Sequence, residues 1–266
     1  MSTPLSISTL FQDSLSRTGR LIVPSLPFGL LFVFASGLIV WAAGALPEGG
    51  GGFLAFACLA FATLFAHSLF SAAMYRSVLP YEGRLLSGAW RLTLAWILVF
   101  VVAAIGGSII VLFFSLIGAS LGVATGEAGQ EITDMTAQMR DSGTFWPLFA
   151  IFAATLFGVF WFAVRLMLFA GASAVRGQVH VFRTWYWTKG HFFVLAPLML
   201  GLIVMPVLLL TWLSQSVASS VFDAPSTPFQ LGLSTALVSL ILLPSAWLGH
   251  GFAAGALAKL APSETP

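Results

Sequence analysis

The chain has 266 residues, of which 59% are apolar and 8% are charged. Soluble domains carry about 25% charged residues, so this chain lacks the polar shell that a soluble fold of its size needs. Its net charge of +2 is small, and its cations are scattered between apolar runs, which argues against a nucleic-acid-binding surface. The single cysteine, Cys58, excludes an intrachain disulfide and a cysteine-based metal site.

The first segment, residues 1–20, places apolar residues such as Ile7 and Leu10 at helical spacing, with polar residues on the opposite side. This pattern predicts a short amphipathic helix at the membrane interface. Pro24 and Pro27 follow it. Because interior prolines kink or break helices, we expect them to set the angle between this helix and the first span.

Six apolar runs then follow in chain order, and each is long enough to cross a membrane. The hydrocarbon core is about 30 Å thick, which about 20 helical residues span at 1.5 Å each. Polar turns and basic segments separate the runs. The sequence therefore predicts an all-α polytopic membrane protein that forms a single membrane domain, 1–266, with six transmembrane helices at about 21–46, 53–75, 92–123, 145–164, 192–222 and 231–258.

The positions of Lys and Arg predict the orientation, because cations concentrate in cytoplasmic loops. With both termini in the cytoplasm, only Arg140 among the 11 cations falls outside. A cleaved signal peptide within residues 1–45 is the rival interpretation, but its apolar core would far exceed the usual 7–15 residues. The cytoplasmic set is Arg17, Arg20, Arg76, Arg84, Arg91, Arg165, Arg176, Arg183, Lys189 and Lys259.

One cytoplasmic segment, "RTWYWTKGHFF" at 183–193, combines cations with aromatic rings. Trp and Tyr favour the headgroup level, and Lys and Arg reach lipid phosphates. Three cations contribute about 3 kcal/mol of attraction to an anionic leaflet, which fits general anchoring and leaves a specific lipid or partner site open. We call the predicted contact set the basic-aromatic surface: Arg76, Trp90, Arg91, Arg165, Arg176, Arg183, Trp185, Trp187 and Lys189.

Two histidines lie inside predicted spans, where ionisable groups are costly and suggest function. His67 precedes Arg76 by nine residues and His250 precedes Lys259 by nine, so both are expected about 13 Å inside the cytoplasmic surface. They could form a proton relay or a transport pathway. Alternatively, they are neutral and hydrogen-bonded to Ser68 or to carbonyls between helices. No metal site is predicted, because a third ligand is missing at that depth.

Other motifs indicate packing. "GASLG" at 118–122 and "GFAAG" at 251–255 match the spacing that lets helices approach closely. Pro197, Pro206 and Pro244 predict kinks, or broken helices around a substrate pathway. Since no nucleophile elbow, zinc-binding helix motif or phosphate loop is present in the sequence, we expect no enzymatic activity and no cofactor.

The stretch "VRLMLFAGASAVRGQVHVFRTWYWTKGHFF" begins with an arginine at the end of span four and places Trp, Thr, Lys and Gly before span five. In this it resembles the bacterial six-span proteins of the YciC-like group, which are similar to the membrane domain of some glycerophosphodiester phosphodiesterases. The specific part of the resemblance covers about 165–197. It implies a six-helix fold in the bacterial inner membrane. It carries no hydrolase activity across, because no soluble catalytic domain follows Lys259 in this sequence.

Together these features predict a non-enzymatic, multi-pass protein of the bacterial inner membrane. Its basic-aromatic surface is expected to contact the lipid bilayer through anionic headgroups, or to contact a membrane-protein partner or a second copy of the chain. The alternative is a small transporter or channel component with a pathway near His67 and His250. No nucleic-acid partner, cofactor or metal is expected.

Overall fold

A computed structural model describes residues 5–47, 49–81, 83–120, 140–141, 143, 145–222 and 226–261, without the side chains of 117–120. Helices form nearly all of this part of the chain, and no strand occurs in it. The helices are α1 (Ile7–Ala45), α2 (Gly50–Val78), α3 (Leu85–Ser120), α4 (Phe145–Leu166), α5 (Phe169–Val175), α6 (Arg183–Trp187), α7 (Phe192–Met199), a π-helical segment (Leu200–Val204), α8 (Met205–Phe222) and α9 (Pro228–Leu260).

Within the described residues, six helical stretches are long and apolar enough to cross a membrane, as the sequence predicts. The protein is therefore an all-α polytopic membrane protein. The last residues of the predicted third span, 121–123, and most of the polar stretch 124–144 lie outside the described residues. The stretches are Ile7–Ala45, Gly50–Val78, Leu85–Leu116, Phe145–Val175, Phe192–Phe222 and Pro228–Leu260.

The N-terminal helix differs from the prediction. Residues 7–20 do not form a separate helix, because α1 continues from Ile7 to Ala45 through Pro24 and Pro27. An interior proline costs about 3 kcal/mol. Tertiary packing at the same level offsets that cost: Leu21 and Ser25 are fully buried, and the indole N–H of Trp247 donates to the Ser25 hydroxyl at 3.0 Å.

The contacts divide the chain into two compact units, residues 1–96 with 164–266, and residues 97–163. The first, unit 1, contains α1, α2, the start of α3, the last residues of α4, and α5 to α9. The second, unit 2, contains the remainder of α3 and most of α4. The prediction of one membrane domain over 1–266 stays a prediction.

Unit 1 is built around three long helices, α1, α2 and α9. Leu21 and Val33 from α1, Phe70 and Met74 from α2 and Leu243 from α9 form one buried apolar cluster. Side chains of this kind contribute about 1.5–3 kcal/mol each when they are fully buried. This cluster fixes the helices on which the candidate site is built.

Glycines bring α1 and α9 into close contact at two levels. A Cβ atom on Gly37 would lie 2.7 Å from the Gly232 carbonyl oxygen, and one on Gly232 would lie 2.8 Å from that of Gly37. Near the other end of both helices, a Cβ on Gly251 would overlap the Thr18 hydroxyl. The packing role predicted for "GFAAG" is thus confirmed at Gly251, whereas a Cβ on Gly255 would make only ordinary contacts. The Gly118 motif lies outside the side chains that are described.

One end of unit 1 gathers the start of α1 and the ends of α2 and α9. Lys259 lies 3.5 Å from the Asp13 carboxylate, and the Arg17 guanidinium donates to the Val78 carbonyl oxygen at 2.8 Å. We call this the cationic end. The first turns of α1 and the last turns of α9 lie at the same end of unit 1, as an even number of crossings requires.

Unit 2 consists of two apolar helical stretches. Within it, the rings of Phe114 on α3 and Phe152 on α4 are 6.3 Å apart. Large apolar side chains elsewhere on both stretches are exposed, including Ile105 and Phe157. Helices that are apolar on all sides are typical of membrane spans, whose exposed surface contacts lipid.

Two of the predicted kinks coincide with a change of helix type. The π-helical segment lies between Pro197 in α7 and Pro206 in α8. Proline removes a backbone donor, and π-turns are an established way for a helix to absorb that loss. Pro244, in contrast, lies within the continuous helix α9.

Candidate lipid-contact surface and buried histidines

Helix α6 connects two membrane-crossing stretches and turns its threonines toward the protein. Thr184 and Thr188 are completely buried. The Thr188 hydroxyl donates to the carbonyl oxygen of Arg165 at 3.2 Å, next to the end of α4. Residues four apart share a helix face, so the buried Thr184 and Thr188 together mark the side of this segment that faces the protein.

The outward side of this segment is both cationic and aromatic. Arg183 and Lys189 are exposed. Tyr186 is 75% exposed and Phe193 is 86% exposed. Asp13 is the only carboxylate among the described residues of unit 1, and it lies beside Arg17 and Lys259. The segment therefore presents rings and cations without a described anion to neutralise them.

The two tryptophans of α6 form a layer beneath that outward side. The Arg165 guanidinium lies 5.7 Å from the Trp185 ring centre, and that of Arg176 lies 4.7 Å from the Trp187 ring centre. Contacts of this kind contribute about 0.5–1 kcal/mol at exposed sites and more when desolvated. These four members of the basic-aromatic surface thus also hold α6 against the end of α4 and the segment that follows α5.

Arg91 has an intramolecular role that the sequence does not predict. Its guanidinium donates to the carbonyl oxygens of Ser173 and Ala174, at 3.3 and 3.1 Å. These carbonyls belong to the last turn of α5, where backbone acceptors lack helical partners. Arg91 therefore caps α5. Its neighbour Trp90 is exposed and packs edge-on against Phe61 at 5.9 Å.

Arg91→Lys is expected to destabilise the protein by about 1–2 kcal/mol, because a lysine ammonium cannot reproduce the two-pronged geometry of guanidinium. Thermal unfolding in detergent measures this loss. Arg84→Lys is the matched control because the Arg84 side chain is exposed. The hydrogen bonds recorded at Arg84 go to its backbone carbonyl oxygen, which the substitution leaves in place. Equal unfolding temperatures for the two variants would contradict the capping role.

Tyr81 lies beside the same cap. Its hydroxyl donates to the Arg84 carbonyl oxygen at 3.1 Å, and the exposed Arg76 guanidinium lies 5.6 Å from its ring centre. Burial raises the pKa of the Tyr81 phenol, although Arg91 and Arg76 oppose the shift. The phenol therefore stays a neutral hydrogen-bond donor. Gly88 leaves room for it, because a Cβ there would overlap the Tyr81 hydroxyl.

His250 links α9 to α2 through a defined tautomer. Its Nδ1 lies 2.8 Å from the Ala246 carbonyl oxygen, and its Nε2 lies 2.9 Å from the Ser71 hydroxyl. A carbonyl only accepts, so Nδ1 carries the proton and Nε2 accepts from Ser71 in the neutral ring. The rings of Phe70 and Tyr75 lie 6.4 and 5.1 Å away.

His67 lies one helical turn before Ser71 on α2, so the two histidines occur at a similar depth. Its ring centre is 5.1 Å from that of Phe32 and 5.5 Å from that of Trp96. Aromatic rings therefore surround both imidazoles. This environment favours helix packing over a hydrated pathway, and the transport role stays a prediction.

Metal binding has no support in the described part of the chain, where no three His, Cys, Asp or Glu residues are grouped as ligands. Sequence reasoning missed the hydrogen bond from Arg17 to α2 and the two ion pairs that Asp13 makes with Arg17 and Lys259. The Arg17 bond to α2 has no local signal, since 61 residues separate its partners. The four-residue spacing of Asp13 and Arg17, 3.9 Å apart, is the one signal that could have been found.

The fold and the site together define an integral membrane protein. Its unit 1 has a cationic end, and Arg91 caps α5 within that unit. Comparisons with protein-family models, with curated proteins and with solved structures found no match. The resemblance to the YciC-like group therefore stays a prediction.

Proposed function

We propose that this is a non-enzymatic protein of the bacterial inner membrane that contacts anionic lipid headgroups through the outward side of α6. The observation that carries the proposal is the division of that segment into two sides. Thr184 and Thr188 are buried against the protein, whereas Arg183, Tyr186 and Lys189 face away from it. Two stretches long and apolar enough to cross a membrane flank the segment, which supports a position of its outward side at a membrane surface.

The chemistry of this side suits a lipid better than a protein partner. Tyrosine and tryptophan rings favour the headgroup region, and each nearby cation contributes about 1 kcal/mol of attraction to an anionic leaflet. Protein interfaces, in contrast, have cores depleted in lysine. The positions of Lys and Arg in the sequence predict that this segment lies on the cytoplasmic side of the membrane. The proposed contact is therefore with the anionic cytoplasmic leaflet.

The double variant Arg183→Gln/Lys189→Gln is expected to weaken retention of phosphatidylglycerol about 30-fold, since two cations contribute about 2 kcal/mol together. Native mass spectrometry of the purified protein, titrated with phosphatidylglycerol and separately with phosphatidylcholine, measures the effect. Retention of phosphatidylglycerol should fall in the double variant, and retention of phosphatidylcholine should stay unchanged.

Single substitutions supply the control for that experiment. Arg140→Gln removes one cation from unit 2, on the side predicted to face outward, and should leave phosphatidylglycerol retention unchanged. Arg183→Gln removes one cation from α6 and should lower it about fivefold. Equal retention by all variants would refute the proposed contact. Loss of both lipids together would show that the fold, not the charge, had been disturbed.

A further inference from the structure

Unit 1 has a second cationic segment, residues 76–91, which runs from the last turn of α2 into the start of α3. Its Arg76 and Arg84 side chains are exposed, whereas the Arg91 guanidinium is held by carbonyl oxygens of α5. The same segment contains one acidic residue, Glu82, which lies outside the described residues. Two exposed cations against one carboxylate leave this arginine segment with a single net positive charge.

The arginine segment packs directly against the end of α5. A Cβ on Gly88 would overlap the Tyr81 hydroxyl and lie 3.0 Å from the Ala174 carbonyl oxygen. The Arg91 guanidinium bonds to the same carbonyl oxygen at 3.1 Å. The Arg76 guanidinium, in turn, lies 5.6 Å from the Tyr81 ring centre. These contacts hold the cations of the arginine segment beside the end of α5.

The α6 segment, residues 183–193, meets the same end of α5. Arg176 directly follows α5, and its guanidinium lies 4.7 Å from the Trp187 ring centre. The exposed Lys189 lies two residues after Trp187, and the exposed Arg183 lies one helical turn before it. The two cationic segments, which are far apart in sequence, therefore meet at the end of α5.

We propose that the two segments together bind one phospholipid whose headgroup carries two phosphodiesters, the chemistry of cardiolipin. The inference rests on the proposed headgroup contact at α6 and extends it. One phosphate lies at Arg183 and Lys189, and the second lies at Arg76 and Arg84. Because a single glycerol joins the two phosphates, binding of the first makes contact of the second intramolecular, which strengthens binding. Basic sites between membrane helices on the cytoplasmic side bind headgroups of this kind.

The charges of the two segments predict how two anionic lipids differ. Phosphatidylglycerol has one phosphate, which the two cations of the α6 segment bind, so its retention does not depend on the arginine segment. The second phosphate of cardiolipin meets the single net charge of the arginine segment. Cardiolipin should therefore be retained about fivefold more strongly than phosphatidylglycerol.

Native mass spectrometry of the purified protein, titrated separately with cardiolipin and phosphatidylglycerol, tests the proposal. Arg76→Gln/Arg84→Gln should abolish the preference for cardiolipin and leave phosphatidylglycerol retention unchanged. Arg76→Lys/Arg84→Lys is the matched control, because it keeps both charges and should keep the preference. If the glutamine variant fails to fold by circular dichroism, Arg84→Gln alone replaces it, since this single change already cancels the net charge of the arginine segment.

Gly88→Ala tests the position of the two segments without changing any charge. The added methyl group must push the arginine segment away from the end of α5, so the preference for cardiolipin should be lost while phosphatidylglycerol retention stays unchanged. Gly19→Ala is the control, because no atom beyond its own turn of helix lies within 4 Å of a Cβ there. It should leave the retention of both lipids unchanged.

Two results would overturn the proposal. Equal retention of cardiolipin and phosphatidylglycerol by the unaltered protein would show that the second phosphate finds no partner. A preference that survives Arg76→Gln/Arg84→Gln or Gly88→Ala would show that the α6 segment alone binds both phosphates. The proposed function fails by a different result, in which Arg183→Gln/Lys189→Gln changes the retention of neither lipid. Loss of the preference in both arginine-segment variants, with phosphatidylglycerol still retained, supports the proposal.

Discussion

Gly251→Ala is expected to cost about 3 kcal/mol of stability, the upper part of the usual range for overpacking a well-packed contact. The added methyl group would overlap the Thr18 hydroxyl and lie 2.9 Å from the Ser14 carbonyl oxygen. Backbone atoms cannot rotate away, so α1 and α9 must separate. That separation would also disturb the nearby contact between Asp13 and Lys259.

The same substitution one turn later provides the control. A Cβ on Gly255 would lie 3.5 Å from Leu10 and from the Ser14 hydroxyl, an ordinary contact distance. Gly255→Ala should therefore be neutral or stabilise the protein by up to about 1 kcal/mol, because alanine favours helices. Thermal unfolding in one detergent compares the two variants, and similar unfolding temperatures would refute the close contact at Gly251.

His250→Leu is expected to destabilise the protein by about 2–3 kcal/mol, because the buried Ser71 hydroxyl loses its partner in an apolar environment. Removing both polar groups should cost less than the sum of the single losses. The double variant Ser71→Ala/His250→Leu should thus recover about 1 kcal/mol in a double-mutant cycle. Reversible unfolding in mixed micelles supplies the four free energies of unfolding.

His67→Leu is the comparison for that cycle. The contacts recorded for His67 in the described part of the chain are with aromatic rings, at Phe32 and Trp96. An apolar side chain of similar size should replace it for about 1 kcal/mol or less. If His67→Leu is as costly as His250→Leu, or if the cycle shows no coupling, the packing interpretation of His250 is wrong.

The membrane-crossing helices could be predicted because bilayer thickness imposes a length that the apolar runs satisfy. The continuity of α1 could not. The local proline rule favours a break at Pro24 and Pro27, but burial of Leu21 and the bond from Trp247 to Ser25 override it. Tertiary contacts between residues far apart in sequence leave no trace in a local pattern.

The candidate site shows the same limit. Clustered cations and rings predicted a surface near α6, and the exposed Arg183 and Lys189 agree with that pattern. Composition cannot show that Arg91 instead reaches the carbonyls of α5, which lie more than 80 residues away. His250 bonds to Ser71, although Ser68 was one of the expected partners. The crossing of α2 and α9 decides which face of α2 His250 meets.

The orientation of unit 1 is tested most directly by the accessibility of single cysteines at the two ends of its helices. In a Cys58→Ala background, Gly50→Cys marks the start of α2, and Arg84→Cys marks the segment after its end. A membrane-impermeant maleimide should label Gly50→Cys only from outside intact cells, and Arg84→Cys only in inside-out vesicles. Labelling of both positions from the same side would contradict the threading from which the lipid contacts follow.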